Sequence, residues 1–341
     1  MLRLSCLLYF ALTGLSGYLY GLGPQLAPGV NAHGLIGVLG FGYTSFLHFL
    51  VTPQRYGPKA SRLRNLLAGL SLLLVAGALA GSSALLNGAA LGYLLTTILL
   101  GLGGKATANR REDRFLQTAV LISILSWIYF LYSWNFASFW QLELRFSHIL
   151  LAFSFPLSLL LFSRYLDLLQ ISTKQAGLTL VVLVSGVLAM FAGMLLGWSW
   201  LETSSAGVLL LLIVFYLLKS AGQRDILLTI AFGGLLLTGA SGIWYVMVYG
   251  QNYSRILLAA HAHLAHFAWA AYGIYHLLMN QAGYGVGRQA IFFAPLFLAL
   301  AGLITWMLQP VAWLLPASLL LFLASGLSLP LTLLAKTSRQ N

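Results

Sequence analysis

The sequence predicts an all-α integral membrane protein with about twelve transmembrane helices and both termini cytoplasmic, on three observations. Of its 341 residues 60% are hydrophobic and only 7% charged, where soluble domains carry about a quarter charged residues. The mean hydropathy is +0.90, and apolar runs of about 20 residues, the length of one bilayer crossing, follow one another from end to end. Lysine and arginine fall on alternate connections, as positive-inside topology requires if every run is a span.

Taken in order, the runs are Leu2–Leu22, Asn31–Thr52, Leu63–Gly81, Ala84–Leu102, Phe115–Phe136 and Phe146–Ser163, then Ala176–Trp198, Trp200–Leu218, Ile226–Val248, Ile256–Met279, Ala290–Leu308 and Val311–Leu334. The third and fourth are separated only by Gly81, Ser82 and Ser83, and the eighth carries Glu202. No connection is long enough for a soluble domain, so residues 1–341 form a single polytopic membrane domain. With this count only Arg145 and Arg255 of the eighteen lysines and arginines fall on the outer side. Arg55, Lys59, Arg62 and Arg64 read as anchors of the first inner loop. Trp134, Trp140, Trp198, Trp200, Trp244, Trp306 and Trp313 lie at outer ends, where indoles prefer the interface.

The net charge of +12 therefore sits in short loops as topological anchors, which argues against a nucleic-acid partner and for a lipid bilayer. The cytoplasmic (inner) membrane is the expected location. The single cysteine, Cys6, excludes an internal disulfide and a thiolate cluster. Glycines scattered through the spans suit close helix packing, and no internal repeat stands out.

The seven histidines carry the functional information, because polar groups are costly inside a bilayer. His33 and His48 lie on the second span, His148 on the sixth, and His261, His263, His266 and His276 on the tenth. Asp and Glu avoid the span centres, which argues against a carboxylate relay or a carboxylate-bridged metal pair. At 100° per residue, His261 and His263 point about 160° apart, so they serve two sites rather than one. A pair of haems on either side of one helix requires that division, since each iron takes an axial imidazole. Zinc instead wants its ligands convergent. Arg255 lies near His261 and suits a haem propionate, although a lone outer charge is equally an anchor.

The Ala32-His33-Gly34-Leu35-Ile36 stretch on the second span and Ala260-His261-Ala262-His263-Leu264 on the tenth resemble subunit I of the haem–copper oxidase superfamily, which includes the nitric oxide reductases. The resemblance implies a low-spin b-type haem between His33 and His263 and a second haem on His261. It further implies respiratory redox chemistry or handling of oxygen or nitric oxide, with an electron-donor cytochrome or another membrane subunit as partner. That family's seventh-span histidines have no counterpart here, so copper gains little support from the resemblance, and whether the chain is an enzyme stays open. The stretch from His33 to Pro53 and the Phe162-Ser163-Arg164-Tyr165 end of the sixth span also resemble the twelve-span nitrogen-oxide-response haem membrane proteins.

Two alternatives stand beside this reading. His33 to His48 and His261 to His276 are both fifteen residues, which on an α-helix rise about 22 Å and rotate about 60°. That spacing is similar to the stacked bis-histidine haems of cytochrome b and would make the chain a di-haem electron carrier. The other alternative is a proton- or metal-coupled transporter without haem. Taken singly, His148, His266, His48 and His276 are further metal ligands or interhelical hydrogen bonders.

Overall fold

A computed structural model describes residues 2–22, 30–105, 109–136, 142–249 and 255–337. Its elements are α1 (Leu2–Leu22), α2 (Val30–Leu35), a π-helical segment π1 (Ile36–Tyr43), α3 (Thr44–Leu50), α4 (Pro53–Tyr56), α5 (Lys59–Ala80), α6 (Ser83–Gly103), α7 (Arg110–Phe136) and α8 (Leu142–Tyr165). There follow α9 (Thr173–Leu196), α10 (Ser199–Gly222), α11 (Ile226–Tyr249), α12 (Arg255–His263), a second π segment π2 (Leu264–Ala271), α13 (Tyr272–Gln281), α14 (Val286–Leu308) and α15 (Leu314–Thr337). The described residues contain no strand. The protein is an all-α membrane protein: seven of the described helices are long and apolar enough to cross a bilayer, and three shorter apolar stretches lie on α1, α8 and α15. Large apolar side chains point outward along them, Leu211 and Met247 each 72% exposed, as lipid-facing residues do.

Local chemistry sets the ends. Ser82 caps α6 by accepting from the backbone N–H of Leu85, and Ser172 with Gln175 forms a capping box at α9, each satisfying a donor that the first turn cannot. Gly81 and Gly197 close α5 and α9 in the left-handed conformation, where a β-carbon is disfavoured.

The contacts divide the chain into two compact units, residues 1–163 with 322–341, and residues 164–321. In the first, Phe10 packs against Phe41 and Phe322 at ring-centroid distances of 4.8 and 4.2 Å. Tyr93 stacks on Trp127 at 4.9 Å, with Tyr43 edge-on to both. In the second, Tyr216, Phe232 and Trp269 form a chain of ring contacts, and the Tyr165 hydroxyl donates to the Gly273 carbonyl at 3.0 Å.

One sequence expectation is altered. The second and tenth spans are not uniform α-helices: each passes through eight π-helical residues, whose i→i+5 bonding turns the chain less per residue. The rotation between His33 and His48, and between His261 and His276, therefore departs from the α-helical value of about 60°. Arg55, on the short connection between α3 and α5, is buried and paired. It is 4% exposed, and its Nη1 donates to Asp113 Oδ1 at 2.7 Å, because a buried guanidinium needs a paired carboxylate.

Candidate metal-ligand histidines

His33 sits near the start of its rod, and α1 faces it with a specific pair of residues. Ser16 Oγ lies 3.2 Å from His33 Nδ1. The same hydroxyl donates its one hydrogen to the Thr13 carbonyl at 3.0 Å. Toward His33 the oxygen can only accept, so the bonding pattern puts the hydrogen on Nδ1 and the lone pair on Nε2. Gly17 makes the approach possible: a β-carbon there would stand 2.6 Å from His33 Cε1.

His261 is held in the same way by α11. Ser241 Oγ lies 3.1 Å from its Nδ1 and donates to the Thr238 carbonyl at 2.9 Å, and a β-carbon on Gly242 would stand 3.0 Å from His261 Cε1. The two cradles share one sequence, Thr13-Gly14-Leu15-Ser16-Gly17 and Thr238-Gly239-Ala240-Ser241-Gly242. In both, the threonine hydroxyl bonds the carbonyl four residues back, that of Tyr9 at 2.7 Å and of Gly234 at 2.9 Å. In both, the π segment opens three residues after the histidine.

His263 reaches the same state by a different route. Its Nδ1 lies 2.7 Å from the Ala259 carbonyl, which only accepts, so Nε2 again keeps the lone pair. Its ring stacks near Phe267 at 5.7 Å. His261 and His263 thus have different neighbours, one on α11 and one on its own helix.

The remaining histidines differ. His276 is 1% exposed, and its Nε2 faces Asp225 Oδ2 at 3.1 Å. Burial works to raise the Asp225 carboxyl, but hydrogen bonds from His276 and the Leu228 and Leu227 amides hold it below the usual value. An ionised carboxylate can only accept, so Nε2 of His276 is the donor. The Asn280 amide nitrogen lies 3.3 Å from its Nδ1 and 3.2 Å from its Nε2, and Asn280 is oriented by Gln289, whose Nε2 donates to Asn280 Oδ1 at 2.7 Å. The His276 ring is thus packed among Asp225, Asn280 and Tyr165. His48 and His266 each meet the edge of a phenylalanine, Phe49 and Phe267. Tyr272 and Tyr275 are fully buried packing residues. The side chains of Arg255 and His148 lie outside the described residues.

His33 belongs to the first unit and His261 and His263 to the second. No three ionisable or thiol side chains converge as a metal cluster among the described residues, and a haem, which brings its own macrocycle donors, asks the protein for one or two axial groups only. Imidazoles whose Nδ1 is held by a fixed oxygen fit that requirement. No family, curated protein or solved structure matches the chain. Sequence reasoning missed Ser16, Gly17, Ser241, Gly242 and Asp225, although the repeated Thr-Gly-x-Ser-Gly stretch was there to be found.

Proposed function

We propose that the chain is a twelve-span haem protein of the cytoplasmic membrane, of haem–copper oxidase-like type, with His33 and His263 as axial ligands of a low-spin b-type haem and His261 as ligand of a second. The observation that carries this reading is the shared bonding state of three imidazoles. Each has its Nδ1 within hydrogen-bond distance of a fixed oxygen, the kind of outer partner that orients a ligating histidine. Bound haem would supply one-electron chemistry and a site for a diatomic gas. The chain's own part is to fix the imidazoles, to surround them with apolar side chains and to exclude water. The packing of the His276 ring among Asp225, Asn280 and Tyr165 favours this assignment over the stacked electron carrier, which needs a His276 nitrogen turned to iron.

Apart from the four-residue α4, the described helices group into twelve rods once α2, π1 and α3, and α12, π2 and α13, are each joined. Twelve spans would put both termini on one side, and the charge on the connections favours the cytoplasmic one. The deciding experiment is an optical spectrum of the detergent-purified protein expressed with haem supplied, oxidised and reduced, with pyridine haemochrome quantitation and carbon monoxide added to the reduced form. Two haems with one reactive to carbon monoxide are expected. Two unreactive haems would restore the electron carrier, and a chain without haem would point to transport.

A further inference from the structure

The two Thr-Gly-x-Ser-Gly stretches lie on different helices in different packing units, yet they perform the same operations on a histidine of the next rod. The threonine hydroxyl spends its hydrogen on the carbonyl four residues back. The serine hydroxyl spends its own on the threonine carbonyl and so turns an accepting oxygen toward Nδ1. The second glycine clears the space that the imidazole Cε1 occupies. Serine in a helix commonly bonds the preceding turn. The unusual element is the coincidence, twice in one chain, of that bond with an imidazole on the next rod and a glycine beneath it.

We infer that residues 13–17 and 238–242 are two copies of one ligand cradle, in which Ser16 positions His33 and Ser241 positions His261 as axial ligands. The inference rests on the haem reading and adds to it that the two serines govern how strongly each imidazole donates to iron. An acceptor on Nδ1–H gives the ring partial imidazolate character and raises its basicity. Removing it makes the ferric state less favoured.

The test uses the full-length protein carrying Ser16→Ala or Ser241→Ala, each beside its threonine counterpart, which keeps a hydroxyl. Ser16→Ala is expected to weaken haem retention about 10-fold and to raise the midpoint potential of the low-spin haem, leaving the carbon-monoxide-reactive haem as it is. Ser241→Ala is expected to lower the iron–histidine stretching frequency of the high-spin haem in resonance Raman spectra, with a smaller change in retention. The threonine variants should restore the native values. Alanine variants with native haem content, potentials and Raman frequencies would overturn the inference while leaving the haem reading intact, whereas native protein without haem overturns both. If the alanine variants fail to accumulate, pulsed electron–nuclear double resonance on the oxidised native protein reads the exchangeable Nδ1 proton directly. Its presence on both axial imidazoles supports the cradle, and its absence from either one overturns it.

Discussion

The hairpin that carries His33 and the hairpin that carries His261 agree at one end and part company at the other. Around the histidine they match group for group: serine oxygen, glycine clearance and a π segment opening three residues on. Seven residues further along the rod the spacing is kept but the small residue has changed sides. In the first hairpin Gly40 of π1 lies beneath Tyr9 of α1, while in the second Gly234 of α11 lies beneath the Ala268 backbone of π2. At the far end His276 is fastened to Asp225, and His48 meets the edge of Phe49. The shared part is therefore what fixes the imidazole, and the lower halves of the rods are packed by whatever side chains each unit supplies.

This comparison can be broken most decisively at the histidines themselves. His33→Ala or His263→Ala should abolish the low-spin haem spectrum and His261→Ala the carbon-monoxide response, whereas His276→Ala should keep both haems in whatever protein folds. Equal loss from all four in pyridine haemochrome assays would erase the distinction drawn between them. Next comes the exchanged small residue. In Gly234→Ala the new methyl would stand 2.7 Å from the Ala268 carbonyl carbon, and backbone cannot swing aside, so a loss of about 3 kcal/mol or more is expected in detergent unfolding. In Gly40→Ala the nearest atom is Val75 Cγ2 at 3.2 Å, a side chain that can yield, and about 1 kcal/mol or less should be lost.

A finer contrast lies in the cradles. Gly17→Ala meets His33 Cε1 at 2.6 Å and Gly242→Ala meets His261 Cε1 at 3.0 Å, so the first should disturb its haem spectrum more than the second. The smallest effect expected is on acid stability. Asp225 is held below the ordinary aspartate value, so its contribution is complete above about pH 4 and disappears as the pH falls through its lower folded value. Melting curves between pH 3 and 7 should show an acid loss in the native protein that Asp225→Asn lacks, and identical pH profiles would mean that the dyad adds nothing.

Much of the fold was legible. Hydropathy and charge place α1 at Leu2–Leu22, as observed, and α11 to within one residue at its end. Apolar length and loop charge are properties of single residues, which a sequence displays directly. The π segments were not legible, because i→i+5 bonding leaves no mark on hydropathy: π1 and π2 lie within continuous apolar runs. The burial of Arg55 was not legible, because a cation in a short loop looks the same whether it reaches water or Asp113. The histidines stood out by the cost of burying them, but their tautomers depend on Ser16, Ser241 and Ala259, groups that are unremarkable until the rods beside them are known. The five-residue repeat shows that part of this was readable, since Thr-Gly-x-Ser-Gly occurs on the helix just before each histidine rod.

The π segments also make each histidine rod mechanically and genetically divisible. A π turn accommodates one residue more than an α turn, so deleting a single residue within Ile36–Tyr43 or Leu264–Ala271 could let the rod close into continuous α-helix while its upper part stays bonded to the serine cradle. Such a deletion would remove only the residue that the π turn absorbs and leave the lower half near its present orientation, whereas a deletion elsewhere in the rod would turn it by about 100°. Each rod thus holds a joint that can take up a change of length while the side chains at its two ends keep their facing.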